Sequence, residues 1–494
     1  MYLVVALIAI ILGLLAYLDT RKPKNFPPGP KWLPLIGSGL EIMKERKRAG
    51  HLFKATAEMA EKYGPVLGLK FGKDKLVVVY GTEAVKEFLS SEDLAGRPYD
   101  EFYRMRTFNK RRGILLVDQN FWQEQRRFML RQLKEFGFGR KSMSSLIEEE
   151  AAHMVEYLRE TIRNNDSNIF NMEMIFNVPI LNTLWKMIAG TRYHPDDKEL
   201  GKIMNIMAQL FAAVDMSGGL FSHFPILKYI APDMSGYNLM VQLHKEVYAV
   251  IRRVLEEHKA THNPDDPRDL MDVYLTVLNE KDKGKSFSEE QLMAVCLDMF
   301  MAGSETTSNS CTFGIQYLIL YPEVQEKARE EIDRVVGKNR CVTLDDRPNL
   351  PYLECVVLET LRMFSGRVFT VPHRALRDTY LHGYFIPKDV QVIANLHGCM
   401  MKPENGFKDP EVFIPERYMK DGKITMPETY LPFGMGKHRC MGETLARANV
   451  FLFLGTMLQN FVFSTVPGSP PDMKMTDGVT PALRHYKAKI IPRV

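Results

Sequence analysis

Cysteine is scarce in this chain and absent from its first half. Only six cysteines occur among 494 residues, and no two are close enough to form a CxxC pair. This distribution argues against an extracellular disulfide framework and against a zinc ribbon, and it is typical of a protein in a reducing compartment. The six are Cys296, Cys311, Cys341, Cys355, Cys399 and Cys440.

An excess of charge of one sign is also missing. The 65 basic residues face 60 acidic ones, which leaves a net charge of +5. No long single-sign run, short internal repeat or low-complexity segment is present, so nothing in the composition calls for nucleic acid as a partner. A hydrophobic content of 45% is ordinary for a globular protein with a large core.

An apolar run opens the chain, from Tyr2 to Leu18. Its length is near the lower limit for crossing a bilayer, which takes roughly 17–25 residues. Basic residues follow the run and none precedes it, which predicts a cytosolic body behind an N-terminal anchor at residues 1–20. A cleaved signal peptide is the alternative, although the basic start and the small-residue cleavage site are both missing.

Prolines then crowd residues 21–37, at positions 23, 27, 28, 30 and 34. Proline fixes φ and removes a backbone donor, so this segment can be neither helix nor central strand. It is typical of a stiff hinge. We expect the remainder, residues 38–494, to form a single catalytic domain.

Helical periodicity dominates that remainder, and strand-like runs are short, so the predicted class is mainly α with a small β portion. Amphipathic helices are predicted at Lys54–Tyr63, Thr82–Ser90, Asn120–Lys134, Ser144–Asn164 and Leu239–Lys259. Strands are predicted at Leu76–Tyr80, Tyr380–Leu381, Val390–Asn395 and Lys487–Ile491.

The longest predicted helix covers Ser288–Tyr321. Ser288 and Gln291 fit a capping box, and Pro322 marks the far end. The middle is apolar nearly all round, which predicts a path through the core. Ala302-Gly303-Ser304-Glu305-Thr306-Thr307 lies within it. A helix contact, with the threonine hydroxyls bonded to their own backbone, explains this segment as well as a functional role does.

A glycine-rich loop, Phe433-Gly434-Met435-Gly436-Lys437-His438-Arg439-Cys440-Met441-Gly442, precedes a predicted helix from Glu443 to about Phe461. The glycines permit tight turns and a close approach of the backbone to a flat partner. Cys440 would stand at the helix N-terminus, where backbone N–H groups favour a thiolate. A structural cysteine in a glycine-rich turn is the alternative interpretation.

The pattern Phe-x-x-Gly-x-Arg/His-x-Cys-x-Gly resembles the haem-binding signature of the cytochromes P450. Ala302–Thr307 resembles the oxygen-activation motif of that family, and Glu359-Thr360-Leu361-Arg362 resembles its ExxR motif. Pro415-Glu416-Arg417-Tyr418 resembles the region that supplies a further arginine. The resemblance covers the whole chain and implies the cytochrome P450 fold, with haem between the long central helix and the cysteine loop.

The resemblance also implies roles for single residues. Cys440 would be the axial ligand of the iron of haem b. Glu305 and Thr306 would deliver protons during oxygen activation, in a helix distorted near Gly303. The predicted haem contacts are Arg97, Trp122, Arg126, His373, Phe433, Gly436 and His438; His438 replaces the arginine of many relatives, so its charge would depend on pH. Glu359, Arg362 and Arg417 would form a structural network that fixes the cysteine loop.

Electrons would come from NADPH through a cytochrome P450 reductase, and cytochrome b5 is a further candidate partner. A basic face for such a partner, or alternatively a plain solvated surface, is predicted from Arg126, Arg127, Arg131, Lys134, Arg140, Lys141, Lys437 and Arg439. The resemblance to microsomal members implies the endoplasmic reticulum membrane.

An apolar pocket for a small lipid-like substrate is predicted from parts of Tyr103–Leu116, Leu210–Phe221, Cys296–Thr306, Val368–Pro372 and Thr480–Leu483. Phe433–Phe453 and Leu18–Gly37 resemble the insect branch that epoxidises methyl farnesoate to juvenile hormone III. Hydroxylation of a steroid, such as an ecdysteroid, or of a xenobiotic is the nearest alternative. A haem-binding sensor without catalysis and a membrane-tethered interaction protein without haem are alternatives of other classes.

Overall fold

The computed structural model of the protein describes residues 2–135, 137, 139, 141–165, 167–173, 175–483 and 486–493. Arg140, one member of the predicted basic face, lies outside these residues. Helices dominate and the strands are short, which confirms the predicted class.

The α-helices of the described residues are α1 (Tyr2–Thr20), α2 (Gly39–Ala49), α3 (Leu52–Tyr63), α4 (Thr82–Ser90), α5 (Glu101–Met105), α6 (Gln119–Glu135), α7 (Lys141–Asn165), α8 (Asn177–Ala189), α9 (Lys198–Ala213), α10 (Leu220–His223), α11 (Leu227–Ile230), α12 (Tyr237–Thr261), α13 (Leu270–Asn279), α14 (Glu289–Leu320), α15 (Pro322–Val335), α16 (Pro351–Ser365), α17 (His397–Met400) and α18 (Glu443–Asn460). Short 3-10 helices lie at Leu344–Asn349, Pro403–Asn405 and Pro415–Tyr418.

The strands of the same ranges are β1 (Val66–Phe71), β2 (Asp74–Tyr80), β3 (Ile169–Asn171), β4 (His373–Arg374), β5 (Thr379–Leu381), β6 (Tyr384–Ile386), β7 (Gln391–Asn395), β8 (Met419–Lys420), β9 (Lys423–Ile424), β10 (Phe461–Thr465), β11 (Met475–Thr476), β12 (Ala482–Leu483) and β13 (Lys487–Pro492). The largest sheet has the order β1-β2-β7-β4; β2 and β7 are parallel and the other two pairs antiparallel. A second sheet has the order β10-β13-β3.

The long central helix α14 begins and ends where its sequence signals predict. The Ser288 side chain caps it by accepting a hydrogen bond from the backbone N–H of Gln291 at 3.1 Å. Pro322 follows its end and opens α15. Because α14 packs against α8, α12, α16 and α18, it is buried along most of its length, and its polar motif lies in the interior.

The N-terminal helix α1 has no buried residue, and it is the helix in the described chain that is long and apolar enough to cross a membrane. Its last turn is tied to the body. The Asp19 carboxylate accepts from the backbone N–H of Leu35 at 2.8 Å and from the buried ammonium of Lys70. Trp32, in the proline-rich segment, is buried and lies 5.8 Å from the Lys70 Nζ.

Candidate active site at the cysteine loop and the central helix

The cysteine loop folds back on itself through backbone hydrogen bonds. The Cys440 N–H donates to the carbonyl of Phe433 at 3.0 Å, and the Arg439 N–H donates to the carbonyl of Gly436 at 3.2 Å. Gly434 and Gly436 both have a positive φ, +67° and +72°, which glycine adopts without the steric cost of a side chain. The tight turn therefore depends on glycines at these two positions.

The two glycines have different surroundings. A Cβ at Gly436 would lie 2.3 Å from the carbonyl oxygen of Leu89, a distance that backbone atoms cannot accept. A Cβ at Gly434 would meet no atom within 4 Å among the described residues. Gly436 is thus required for the loop to pack on the end of α4, whereas Gly434 borders open space.

The Cys440 side chain is open on one side and surrounded by protein on the others. α18 begins at Glu443, as predicted, so Cys440 lies just before its first turn. The expected preference for thiolate is wrong for the protein alone. Burial raises the pKa of Cys440, and this exceeds the opposing effects of the Gly442 backbone and of Arg126. A metal cation would favour the thiolate, because a coordinating thiol is deprotonated outright.

Aromatic rings and one guanidinium line up beside this loop. Arg126 lies over the Trp122 ring at 5.3 Å, and that ring lies 4.3 Å from the ring of His438. His438 is in turn 5.1 Å from His373. Arg126 also donates to the carbonyl of Arg439 at 2.7 Å, which joins α6 to the cysteine loop.

The two histidines are less suited to hold an anion than the sequence predicts. The His438 Nε2–H donates to the carbonyl of Ala95 at 2.9 Å, and the His373 Nδ1–H donates to that of Leu94 at 2.8 Å. In the neutral ring the second nitrogen is then only an acceptor. Burial lowers the pKa of His438 to about 3 and that of His373 well below its usual value. Each histidine could donate a second hydrogen bond, to a carboxylate, only in its protonated form, which the negative charge of that carboxylate would have to stabilise.

Arg97 is the buried cation of this group. Its Nη1 donates to the carbonyls of Val371 and Pro372, at 3.2 and 2.9 Å, while its buried Nε has no partner among the described residues. Burial lowers the pKa of Arg97 to about 9, and the nearby Arg126 adds to this effect, although Asp118 opposes it. Two guanidinium groups close together in a desolvated site favour an anionic ligand.

These observations fit a flat group with acidic substituents and a metal centre. Arg97 and Arg126 supply positive charge, Cys440 presents a thiol to open space, and Gly434 leaves room for a planar partner. Haem has all three matching features. The residues present therefore fit the cofactor that the resemblance implies.

The central motif lies on an unbroken part of α14. The helix continues through Gly303, so the expected distortion is not seen. A Cβ at Gly303 would lie 2.2 Å from the Leu184 side chain, which explains the glycine as the contact point between α14 and α8. Ala302 is nonetheless exposed, its neighbours Met301 and Gly303 are half-buried, and the Thr306 hydroxyl donates to the Ala302 carbonyl at 2.8 Å.

Glu305 lies on the buried side of the same turn. Its Oε1 accepts a long hydrogen bond, 3.4 Å, from the Thr480 hydroxyl, and its buried Oε2 has no partner in the described part of the chain. Burial raises the pKa of Glu305 to about 7, with smaller opposing effects from Thr480 and Asn309. Glu305 can therefore both hold and release a proton near neutral pH.

The ExxR pair is completely buried. Arg362 Nε and Nη2 lie 2.8 Å from the two carboxylate oxygens of Glu359. Arg417 Nε donates to Glu359 at 3.0 Å, so the predicted triad is in contact. The two arginines also donate to backbone carbonyls of Met400, Lys408, Pro410 and Val412. The triad therefore fixes residues 400–417, the segment that leads to the cysteine loop.

Two tyrosines of this network were not predicted from the sequence as members of it. Tyr418 donates to Glu359 at 3.0 Å, and its ring lies 5.7 Å from that of Tyr430. Tyr430, which lies only three residues before Phe433, donates to the carbonyl of Leu358 at 2.9 Å. They extend the triad to the cysteine loop. The sequence offered one signal for this extension of the network: Tyr418 is the last residue of the Pro-Glu-Arg-Tyr motif. Tyr430 belongs to no motif.

Four of the five segments predicted to line a substrate pocket contact one another. Tyr103 donates to the carbonyl of Ser217 at 3.0 Å, and Arg106 pairs with Asp298 of α14 at 2.5 Å. The Val479 N–H donates to the carbonyl of Phe211 at 2.8 Å, beside the Glu305–Thr480 contact. Arg97 reaches Val371 and Pro372, as described above. These contacts connect Tyr103–Leu116, Leu210–Phe221 and Thr480–Leu483 with Cys296–Thr306 of α14, whereas Val368–Pro372 contacts Arg97.

The members of the predicted basic face differ in their surroundings. Arg439 forms a bidentate pair with Glu443, and Lys437 pairs with Glu92 at 2.7 Å. Arg126 is half-buried at the cysteine loop, so it belongs to the interior site. The remaining described members are exposed on or just after α6, namely Arg127, Arg131, Lys134 and Lys141.

Comparison with known proteins agrees with this geometry. The family described as Cytochrome P450 matches residues 27–490. A fruit fly protein (Drosophila melanogaster) named probable cytochrome P450 303a1 is 44% identical, over 99% of this chain and 97% of that protein. The farnesoate epoxidase of Bombyx mori is 34% identical, over 99% of this chain and 98% of that protein. Cytochrome P450 2J5 of Mus musculus is 31% identical, over 98% and 94%.

The fold and the site thus define an oxidoreductase of the monooxygenase type. The chain belongs to the cytochrome P450 family. The family carries a haem iron with a thiolate ligand and generally receives its electrons from a reductase partner.

Proposed function

We propose that this protein epoxidises methyl farnesoate to juvenile hormone III, with haem b held by Cys440. The observation that carries the site assignment is the open thiol of Cys440 near the desolvated Arg126, which in turn lies near the buried Arg97. Bound there, haem supplies the activation of molecular oxygen. Arg97, Arg126 and Trp122 would hold its acidic groups, and Phe433 and Gly436 would shape the loop below it.

The chain's own residues would manage protons and water. Thr306 holds a hydroxyl next to the exposed Ala302, one residue beyond the buried carboxyl of Glu305. Because the pKa of Glu305 is near neutral, it would pass protons from Thr480, which lies between β11 and β12, toward Thr306. Glu359, Arg362 and Arg417 would act by holding the loop in position.

The substrate assignment rests on likeness. The Bombyx mori relative is named farnesoate epoxidase, and it matches nearly the whole chain. The overall reaction would consume methyl farnesoate, O2, NADPH and a proton, and would yield the epoxide, water and NADP+. Electrons would come from a cytochrome P450 reductase docked on the exposed basic residues of α6, with cytochrome b5 as a further donor. The anchor α1 would hold the enzyme to the endoplasmic reticulum, behind the hinge at residues 21–37.

Hydroxylation of a steroid or xenobiotic is the second candidate. The observation favouring it is that the mammalian relatives at 31–33% identity, for example the cytochrome P450 2J5 of mouse, bear names that specify no substrate. The printed name of the fruit fly relative at 44% identity specifies no substrate either. A sensor that binds haem without catalysis would need neither Thr306 nor a reductase.

The test is turnover in membranes that contain the full-length enzyme, a reductase and NADPH. After the thiolate-type ferrous–CO spectrum has been recorded, methyl farnesoate is added and the products are separated on a chiral column. A single 10,11-epoxide is expected. An intact spectrum without epoxide would redirect the search to steroids and xenobiotics, and failure to consume NADPH with any substrate would favour the sensor.

A further inference from the structure

The turn between α12 and α13 gathers two histidines and two aspartates that the proposed function does not use. His258 lies in the last turn of α12, His262 follows its end, and Asp269 and Asp272 lie at the start of α13. All four side chains are at least nine-tenths buried. One ligand atom of each of His258, Asp269 and Asp272 lies within 4.8 Å of the others. This spacing is close to that of the ligands of a single metal ion.

The first histidine turns an acceptor nitrogen toward a carboxylate. His258 Nδ1 lies 2.7 Å from the carbonyl of Val254, which can only accept, so Nδ1 carries the proton. In the neutral ring Nε2 is then an acceptor, and it lies 2.8 Å from a carboxylate oxygen of Asp269. Two acceptors at this distance require a cation, which is either a second proton on His258 or a metal ion.

The second histidine has the same arrangement. The Thr276 hydroxyl donates to the carbonyl of Asp272 at 3.1 Å, so its oxygen accepts from the Nε2–H of His262 at 3.3 Å. Nδ1 of His262 is buried, has no hydrogen-bond partner among the described residues, and lies 3.6 Å from Asp272 Oδ1. That distance is too long for a hydrogen bond. It suits two ligands of one ion, because ligands about 2.0–2.1 Å from a tetrahedral centre are about 3.3 Å apart.

A proton accounts for one of these contacts and not for the other. Burial lowers the pKa of His258, but the Asp269 carboxylate raises it by more, so an imidazolium would satisfy this pair. Nδ1 of His262 would still lack a partner, which is costly for a buried polar atom. A divalent cation would satisfy both histidines at once. Each ring would also keep an outer N–H bonded to an oxygen, which is the usual arrangement of a metal-ligating histidine.

The charge of the cluster and its access to solvent also favour a cation. The two aspartates bring two negative charges, and the half-exposed Arg268 offsets one of them through hydrogen bonds of 2.6 and 3.0 Å to Asp272. One negative charge remains when both imidazoles are neutral. A surface groove of about 610 Å³, lined in part by His258, Arg268 and Asp269, gives an ion a path to the cluster.

We propose that His258, His262, Asp269 and Asp272 bind one divalent transition-metal ion, best matched by zinc, that ties the end of α12 to the start of α13. Two imidazoles with two carboxylates suit zinc, whereas magnesium and calcium prefer oxygen ligands alone. Asp272 can keep its contact with Arg268, since each carboxylate oxygen has two lone pairs. Because α12 and α13 both pack against the central helix α14, the ion would stabilise the support of that helix, whichever substrate the enzyme oxidises.

Zinc binding by the tag-free, full-length holoenzyme tests the proposal. Zinc chloride is titrated into protein that has been treated with a chelator and dialysed, and bound zinc is counted by elemental analysis and calorimetry. We expect one zinc per chain, and X-ray absorption at the zinc edge should show only nitrogen and oxygen ligands, at about 2.0–2.2 Å. A sulfur ligand at about 2.3 Å would place the ion on a cysteine, and absence of binding at micromolar zinc would leave the cluster to a proton. Either result would overturn the proposal.

Three single variants assign the ion to this cluster. Asp269→Asn keeps a side chain that caps α13 but removes a charged ligand, and His262→Gln removes the nitrogen that lacks a partner among the described residues. Each should weaken zinc binding about 100-fold or more, since even the loss of a group that only orients a ligand costs about 10–100-fold. His194→Gln is the matched control and should leave the affinity unchanged, because His194 also lies 3.6 Å from an aspartate, Asp196, but both are exposed.

The ferrous–CO spectrum of each variant shows whether it is folded. If the buried Asp269→Asn fails to fold, His262→Gln, just beyond the end of α12, decides the matter alone. An affinity for zinc in His262→Gln within about threefold of the parent would refute the site.

Discussion

Arg362 donates hydrogen bonds to both carboxylate oxygens of Glu359 at 2.8 Å, and neither side chain has any exposure to solvent. Removal of one partner from a buried pair is far more costly than removal of one from an exposed pair, because the other charge is left without compensation. This contrast can be tested within the chain, since Glu45 and Arg48 form a second ExxR pair at the surface.

Glu359→Gln should therefore destabilise the protein by about 3–5 kcal/mol and prevent most of it from binding haem. Glu45→Gln, in the exposed pair, should cost no more than about 1 kcal/mol. The fraction of purified protein with a thiolate-type ferrous–CO band and the midpoint of thermal unfolding would report both effects. Equal losses in the two variants would show that the buried network does not fix the cysteine loop.

Alanine at Gly436 should be far more damaging than alanine at Gly434. Both positions have a positive φ, which costs an L-residue about 1–2 kcal/mol. Only at Gly436 would the new methyl group also collide with the backbone of Leu89. Gly436→Ala should lose haem at expression, whereas Gly434→Ala should retain it with modestly lower stability. Haem content per mole of protein, measured for both, decides the matter, and an equal content would show that the Leu89 contact is relaxed.

Thr306→Ala should separate electron use from product formation. The substitution removes a hydroxyl without loss of helix propensity, since alanine is the better helix former. NADPH consumption should continue, while epoxide per NADPH falls roughly tenfold or more, because a positioned proton donor contributes a large factor to the rate. Thr306→Ser keeps the hydroxyl and serves as the control. Unchanged coupling in Thr306→Ala would remove Thr306 from the proton path.

Glu305 should make the protein less stable as the pH rises. The pKa of its carboxyl is raised from 4.5 to about 7 in the folded state, so between these values the folded protein holds a proton that the unfolded chain has lost. The free energy of unfolding then falls by at most about 3 kcal/mol across this window and is unaffected below it. Glu305→Gln should remove the fall and be more stable than the parent enzyme at pH 8.

Glu290, on the first turn of α14, provides a control of opposite sign. The backbone and the Ser288 hydroxyl lower the pKa of its exposed carboxyl, so its contribution to stability is present near neutral pH and is lost on acidification. Thermal midpoints of Glu305→Gln and Glu290→Gln from pH 4 to 8 should diverge from the parent in opposite directions. A pH-independent difference for Glu305→Gln would mean that its carboxyl titrates normally.

Local signals in the sequence predicted much of this structure. The bounds of α4 are those predicted, and α14 differs from Ser288–Tyr321 by one residue at each end, because a cap and a proline act over only a few residues. The spacing of residues within the motifs indicated Cys440, Thr306 and Glu359 as site or network residues. Each of these features is determined by residues that lie close together in the sequence.

Contacts between distant segments could not be predicted in the same way. Arg106 and Asp298 are separated by 192 residues, and neither stands in a motif. His373 and His438 each donate one ring N–H to a backbone carbonyl, of Leu94 and of Ala95, and these carbonyls approach the rings only in the folded chain. The pKa of Cys440 likewise depends on burial that helix position alone does not reveal.

The tie between Asp19 and Lys70 bears on how a soluble form of this enzyme should be made. Deletion of residues 1–20 would remove the carboxylate that the buried Lys70 ammonium contacts and would release the backbone N–H of Leu35. Such a truncation would do more than remove the apolar helix: it would leave a desolvated cation in the β1 strand. A cut placed just before Asp19 would discard most of the apolar helix and keep this contact intact.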